Sequence, residues 1–195
     1  MADAVAADGA PRPEAWARDL RDPATAAELA ARLRREPGHL DILIGNAATV
    51  GDAVAGRDQT PAAFREVMAL NLDANQALLH ALDPLLRAAP AGRAVFTTSG
   101  LARRPFPHLA AYCASKAALE VLVTCHARDT EATAVRANLL DPGVVATDLF
   151  RAAMPAADTS GMKGPAEIAD AFLALVRPDV TRTGEIVSWK TLAAS

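Results

Sequence analysis

"GHLDILIGNAA", Gly38 to Ala48, is the stretch whose reading decides the fold. Ile42, Leu43 and Ile44 form a short apolar run, too brief for a helix and closed by the turn residues Gly45 and Asn46. A strand apolar on both faces belongs in a parallel sheet covered by helices. Helices are predicted on both sides of it. Before it, "DPATAAELAARLRR" places Asp22 at a cap and Pro23 in the first turn, with Leu29 and Leu33 on one face. After it, a long helix starts beyond Thr60. Phe64, Val67, Leu70, Ala74, Leu78 and Leu82 keep helical spacing there, and Pro84 is expected to kink or break it.

The alternation continues outward. "RAVFTTSG" is a strand and "PHLAAYCASKAALEVLVTCHARD" a long helix. "AVRANLLDPG" is a strand ending in a turn, "GPAEIADAFLALVRP" a helix and "TGEIVSW" a last strand. Upstream, Ala15 to Ala17 in "PEAWARDL" reads as one more short strand. No repeat, low-complexity tract or linker interrupts residues 1–195, which read as a single domain. The expected fold class is α/β, a parallel sheet in three α/β/α layers. Ligands of such sheets bind beyond the carboxyl ends of the strands. Asp19, Asn46, Ser99 and Pro142–Gly143 are therefore expected to converge there from four strands.

Composition narrows the function classes. Hydrophobic residues make up 51% and charged residues 22%, as in an ordinary globular protein. A net charge of -3 provides no basic field for nucleic acid. No apolar run approaches the roughly 20 residues that span a bilayer. The start, "MADAVAADGAPRPEAW", has neither a basic opening nor an apolar stretch, so no signal peptide is read and the cytoplasm is expected. Cys113 and Cys125 fall in one helix about 18 Å apart, beyond disulfide reach, and are expected to be core thiols. His39, His80, His108 and His126 lack ligand spacing, so no metal site is expected.

One pair of residues carries chemistry. Tyr112, the only tyrosine, and Lys116 are i and i+4 and share a helix face. An ammonium beside a phenol favours the phenolate, so Lys116 is expected to lower the Tyr112 pKa. Such a tyrosine exchanges protons with an alcohol or carbonyl. Ser99, ending the preceding strand, is placed to hydrogen-bond the same oxygen. The alternative reading of a lone Tyr-x-x-x-Lys pair is a packed tyrosine, a solvated lysine and a capping serine.

The pair does not stand alone. Ser99 lies thirteen residues before Tyr112, and "YCASKAAL" resembles the active-site helix of the short-chain dehydrogenase/reductase family. "GNAA" resembles that family's N-N-A-G turn, with Ala48 in place of its glycine, and "LNLDANQ" the helix with its fourth catalytic residue. "DPGVVATDL" resembles its P-G-x-x-x-T cofactor turn and "RDLRD" the stretch that meets adenine. The resemblance implies a Rossmann-like sheet and an NAD- or NADP-dependent oxidoreductase acting on a small carbonyl or alcohol substrate. Tyr112 would be the general acid/base, Lys116 its partner on the nicotinamide ribose, and Ser99 the carbonyl-positioning group. Asn71 would hold a water that relays protons. Asp19, Leu20, Asn46 and Ala47 would line the adenosine side of the cofactor, and Pro142, Gly143, Val145 and Thr147 the nicotinamide side. Homo-oligomers are implied too, with Leu78, Leu79, Leu82, Leu119, Leu122 and Val123 in apparent surplus over one sheet face. The local pattern around "LDPLLRAAPAGRAVFTTSGLA" is most similar to a bacterial branch resembling 3-oxoacyl-carrier-protein reductases. Arg103 and Arg104, just past Ser99, would meet an anionic substrate or carrier, or else lie on a solvated loop.

The family's opening strand, T-G-x-x-x-G-I-G turn, helix and second strand have no counterpart before Asp19. The sheet is therefore expected to be incomplete at its N-terminal side. The Ile42–Ile44 strand should lie at an edge, and the Ala15–Ala17 strand should either detach or slide over to pair with it. Three readings follow: a fragment of a longer enzyme, a short non-catalytic relative serving binding or oligomerisation, and a short active enzyme. Without the phosphate-binding turn, weak cofactor binding and no turnover are expected of the 195 residues alone.

Overall fold

The structure, a computed structural model, describes residues 13–192. The reading of the chain's first twelve residues lies outside them. Four parallel strands form one sheet in the order β1 (Ile42–Gly45), β2 (Arg93–Thr97), β3 (Arg136–Asp141), β4 (Ile186–Ser188). One face carries helices α1 (Pro23–Arg35), α3 (Ala74–Ala88) and α4 (Ala110–Asp129). The other carries α6 (Pro165–Val176) and the short α7 (Trp189–Leu192). The remaining helices, α2 (Pro61–Met68) and α5 (Asp148–Ala153), flank the carboxyl ends of the strands. This is the expected three-layer α/β/α architecture.

Local chemistry accounts for the elements. Asp22 accepts the Ala24 N–H and Thr60 the Ala63 N–H, each followed by a proline in the first turn. Glu167 accepts the Gly164 N–H and closes the start of α6. The central strands are apolar on both faces. Ala94, Phe96, Ala137 and Leu139 pack under α3 and α4, while Val95 and Leu140 pack under α6. At the end remote from the turns, the buried Arg93 guanidinium donates to five carbonyls, those of Gly92, Ala134, Arg177, Pro178 and Val180.

Several expectations are corrected. Ala15–Ala17 forms no strand; both alanines are exposed and the segment runs in irregular conformation to Asp19. Just past it Leu20 packs against the core, and the buried Thr25 hydroxyl donates to the Asp19 carbonyl at 2.7 Å. The first strand, β1, is apolar on both faces in sequence but is covered on one. Leu43 is buried, whereas Ile42 and Ile44 are 43% and 46% exposed because α6 reaches only the other strands. The long helix does not break at Pro84. Pro84 and His80, whose carbonyl loses an N–H partner, both face solvent, where water can serve instead. The irregularity lies earlier, in a π-helical turn at Ala69–Asp73 between α2 and α3. Cys125 is exposed and only Cys113 is buried. Of the six residues read as surplus, Leu78, Leu79, Leu82, Leu119 and Val123 are buried within this one chain, and Leu122 is partly buried against the same core.

Candidate active site

A cleft of about 1420 Å³ opens at the carboxyl ends of the strands. Ser99 reaches it from the end of β2, and Tyr112 and Lys116 from the first turns of α4. Asn46 and Ala47 line it from the end of β1, and Pro142, Gly143, Val145 and Thr147 from the loop after β3. Asp19 and Leu20 do not enter it. They line a neighbouring recess of about 520 Å³ that shares Ala47 with the cleft. The Asp19 carboxylate is tied to the Arg21 guanidinium at 2.8 Å, which holds its pKa below the ordinary aspartate value. Asn71 enters neither: it is fully buried behind the cleft.

Close packing fixes the glycines. A Cβ on Gly45 would lie 2.2 Å from Phe96 Cδ1 and 2.6 Å from Asn75 Oδ1, so only glycine fits where β1 turns into the cleft. Gly143 has φ +68°, and its N–H is held by Asp141 Oδ1 at 3.0 Å.

Burial sets the protonation states. Lys116, 2% exposed, donates to the Thr97 carbonyl at 2.8 Å, and desolvation lowers its pKa to about 8. The same effect raises that of Tyr112. A hydrogen bond with Ser99 pulls it down, and Cys113 and Asp141 push it further up. Lys116 Nζ lies 5.9 Å from the Tyr112 ring centroid and is not among the groups that shift the phenol. The expected lowering of the Tyr112 pKa is therefore not seen: burial raises it, and the ammonium does not act on it. At neutral pH Tyr112 is a phenol and Lys116 still mostly an ammonium.

Asn71 is a bracket. Its Oδ1 accepts the Thr49 N–H at 2.9 Å, and its Nδ2 donates to the Thr49 carbonyl at 2.8 Å and to Ser115 Oγ at 3.0 Å. Its main-chain carbonyl accepts from Asn75 Nδ2 at 2.8 Å. Asn71 thus ties the loop after β1 to the helix of Tyr112. Around the phenol the walls are apolar: Val50 and Leu109, with Leu101, Leu149, Ala153 and Met154. Arg103 lines the cleft and is exposed, and its guanidinium is paired with Glu120 and Asp141. The sequence reading passed over Glu120. It lies at i+4 from Lys116 and i+8 from Tyr112, a face-sharing spacing that was there to be seen. Among the described residues no group of three metal-ligating side chains occurs, and no helix is long and apolar enough to cross a membrane.

Comparisons with known proteins agree with this geometry. The profile described as short chain dehydrogenase matches residues 1–158. YciK of Escherichia coli (strain K12), an uncharacterized oxidoreductase, is 34% identical over 155 residues, covering 80% of this chain. The chain spans 61% of that relative's length. A short chain dehydrogenase of Salmonella enterica serovar Typhi superposes with a TM-score of 0.92 at 29% identity, covering 97% of this chain and 79% of that one. One from Shigella flexneri 2a, solved in complex with NADP, gives 0.91 at 29% identity, covering 97% and 80%.

Proposed function

Since the chain belongs to the short-chain dehydrogenase family, we propose that it is an oxidoreductase that transfers hydride between a nicotinamide dinucleotide and a carbonyl or alcohol substrate. The observation that carries this reading is the meeting of Ser99, Tyr112 and Lys116 in one cleft at the carboxyl end of the sheet. Bound NADP(H) would supply the hydride. The Shigella relative's complex supports NADP(H) as the group. The cleft fits its nicotinamide-ribose half. Lys116 is a buried ammonium with a single protein acceptor, so it has donors left for ribose hydroxyls. The Pro142–Gly143 turn and Thr147 border the same space.

The chain's own residues then act as follows. Ser99 donates to the substrate oxygen and holds it against Tyr112. Tyr112, a phenol at neutral pH, gives its proton to that oxygen as negative charge develops there. Lys116 stabilises the phenolate left behind. Asn71 positions Ser115 and the Thr49 loop from behind. In the oxidative direction Tyr112 takes the proton back. The apolar walls around the phenol favour a hydrophobic ketone or aldehyde. A substrate like that of the 3-oxoacyl-carrier-protein reductases is the finer reading. With Arg103 paired to Glu120 and Asp141, Arg104 and Lys190 at the cleft wall are left to meet a carrier's anionic groups. Homo-oligomers have no support from surplus apolar helix faces.

The test is turnover of hydrophobic ketones at millimolar NADPH, comparing the parent with Tyr112→Phe. Removing the proton donor is expected to lower the rate by at least about 10²-fold. Equal turnover would remove Tyr112 from the reaction. No turnover of any substrate by a folded parent would count against the short active enzyme.

A further inference from the structure

Two carboxylates, Asp141 at the cleft wall and the buried Glu120, have no part in the reaction as described. Glu120 lies on α4, one turn beyond Lys116, and is 8% exposed. Its Oε1 accepts the Thr98 hydroxyl at 2.7 Å and also a donor of Arg103. Asp141 ends β3. Its Oδ2 accepts from Arg103 Nη2 at 2.6 Å, while its Oδ1 holds the Gly143 N–H. One guanidinium therefore joins three pieces: the loop that follows Ser99, the helix of Tyr112 and Lys116, and the turn after β3. The fork suits this task, since it presents separate N–H groups to two carboxylates and does not lose its charge.

We propose that Arg103 is a positioning residue for Tyr112: its guanidinium bridges Glu120 and Asp141, compensates the Asp141 carboxylate that borders the cleft with the phenol, and holds the Ser99 loop to the Pro142–Gly143 turn. The inference rests on Tyr112 being the proton-transfer group. Proton transfer from Tyr112 leaves an anion, and an uncompensated carboxylate nearby opposes its formation. Asp141 already acts on the phenol in that sense, even with Arg103 in place. The other charged or titratable groups facing the cleft are few. Cys113 and Lys116 share the helix, and Arg104 lies on the Ser99 loop. Asp148 at the start of α5 and Lys190 in α7 border it from the far side. Of these groups, none bridges Glu120 and Asp141 as Arg103 does.

The chain's single tyrosine makes the idea measurable without turnover. Ultraviolet difference absorption after a pH jump, read before any unfolding, reports ionisation of Tyr112 alone. Arg103→Gln is expected to raise its midpoint by about one unit relative to the parent. Arg103→Gln combined with Asp141→Asn should return it towards the parental value, which lost packing alone would not do. Asp141→Asn by itself should lower it, and this variant carries the test if Arg103→Gln does not fold. A folded Arg103→Gln with the parental midpoint, or Asp141→Asn with no downward shift, would overturn the proposal. A failure of the Tyr112→Phe rate test, by contrast, would leave these midpoints as they are and sink only the reaction.

Discussion

Lys116 is held in its working form at a cost to the fold. Its folded pKa of about 8 lies below the ordinary lysine value of 10.5. Between those values the unfolded chain binds more protons than the folded one, so stability rises with pH across that window. Below pH 8 the full penalty of the buried ammonium applies, on the order of 3 kcal/mol. Lys116→Met should therefore melt higher than the parent at pH 7, with the gain largely gone by pH 10.5. Thermal melts of both proteins at the two pH values check this, and a constant difference would contradict it. At this scale the sequence was most legible where partners are local. Tyr112 and Lys116 share a face by spacing, and Ser99 ends a strand. Arg103 was illegible because its carboxylates lie 17 and 38 residues away. Asn71 likewise finds Thr49 and Ser115 at separations of 22 and 44. Only the completed fold brings such groups together.

Among the elements, β1 is the least protected. One of its edges has no strand beside it among the described residues, and Ile42 and Ile44 stand half-exposed on one face. Apolar edge strands template further strand pairing. Ile42→Lys should slow aggregation on warming, as followed by light scattering. It should change stability by no more than about 0.5 kcal/mol, because the site is already open to water. Aggregation at the parental rate would show that the edge is not the seed. Element types were readable from period and punctuation: the strands at Ile42, Arg93, Arg136 and Ile186 and all the long helices are where the apolar patterns put them. What the pattern cannot report is whether a neighbour exists. Ala15–Ala17 has strand-like residues and no sheet to join, and β1 has two apolar faces and one cover.

The whole molecule offers the nicotinamide end of a dinucleotide more than its phosphates. None of the strands β1 to β3 feeds directly, through a glycine-rich turn, into a helix of eight residues or more. That turn is the usual seat of a pyrophosphate. The 195-residue chain should accordingly bind NADPH only at about the millimolar level, or roughly -4 kcal/mol. Calorimetric titration checks this, and micromolar binding to the folded chain would favour the short active enzyme. The parallel layered architecture was legible because alternation of strand and helix leaves few other packings. Leucines that look superfluous along a sequence are consumed by a core whose depth is known only in three dimensions. The π-helical turn at Ala69–Asp73 has its own consequence at this scale. It holds one residue more than a regular helix would need. Removing one residue there would let the helix close into regular α form while the turns on either side keep their faces, whereas removing one elsewhere between Thr60 and Ala88 would rotate everything beyond it by about 100°. Val67 before the turn and Leu78 after it would both keep their buried places in the first case and not in the second.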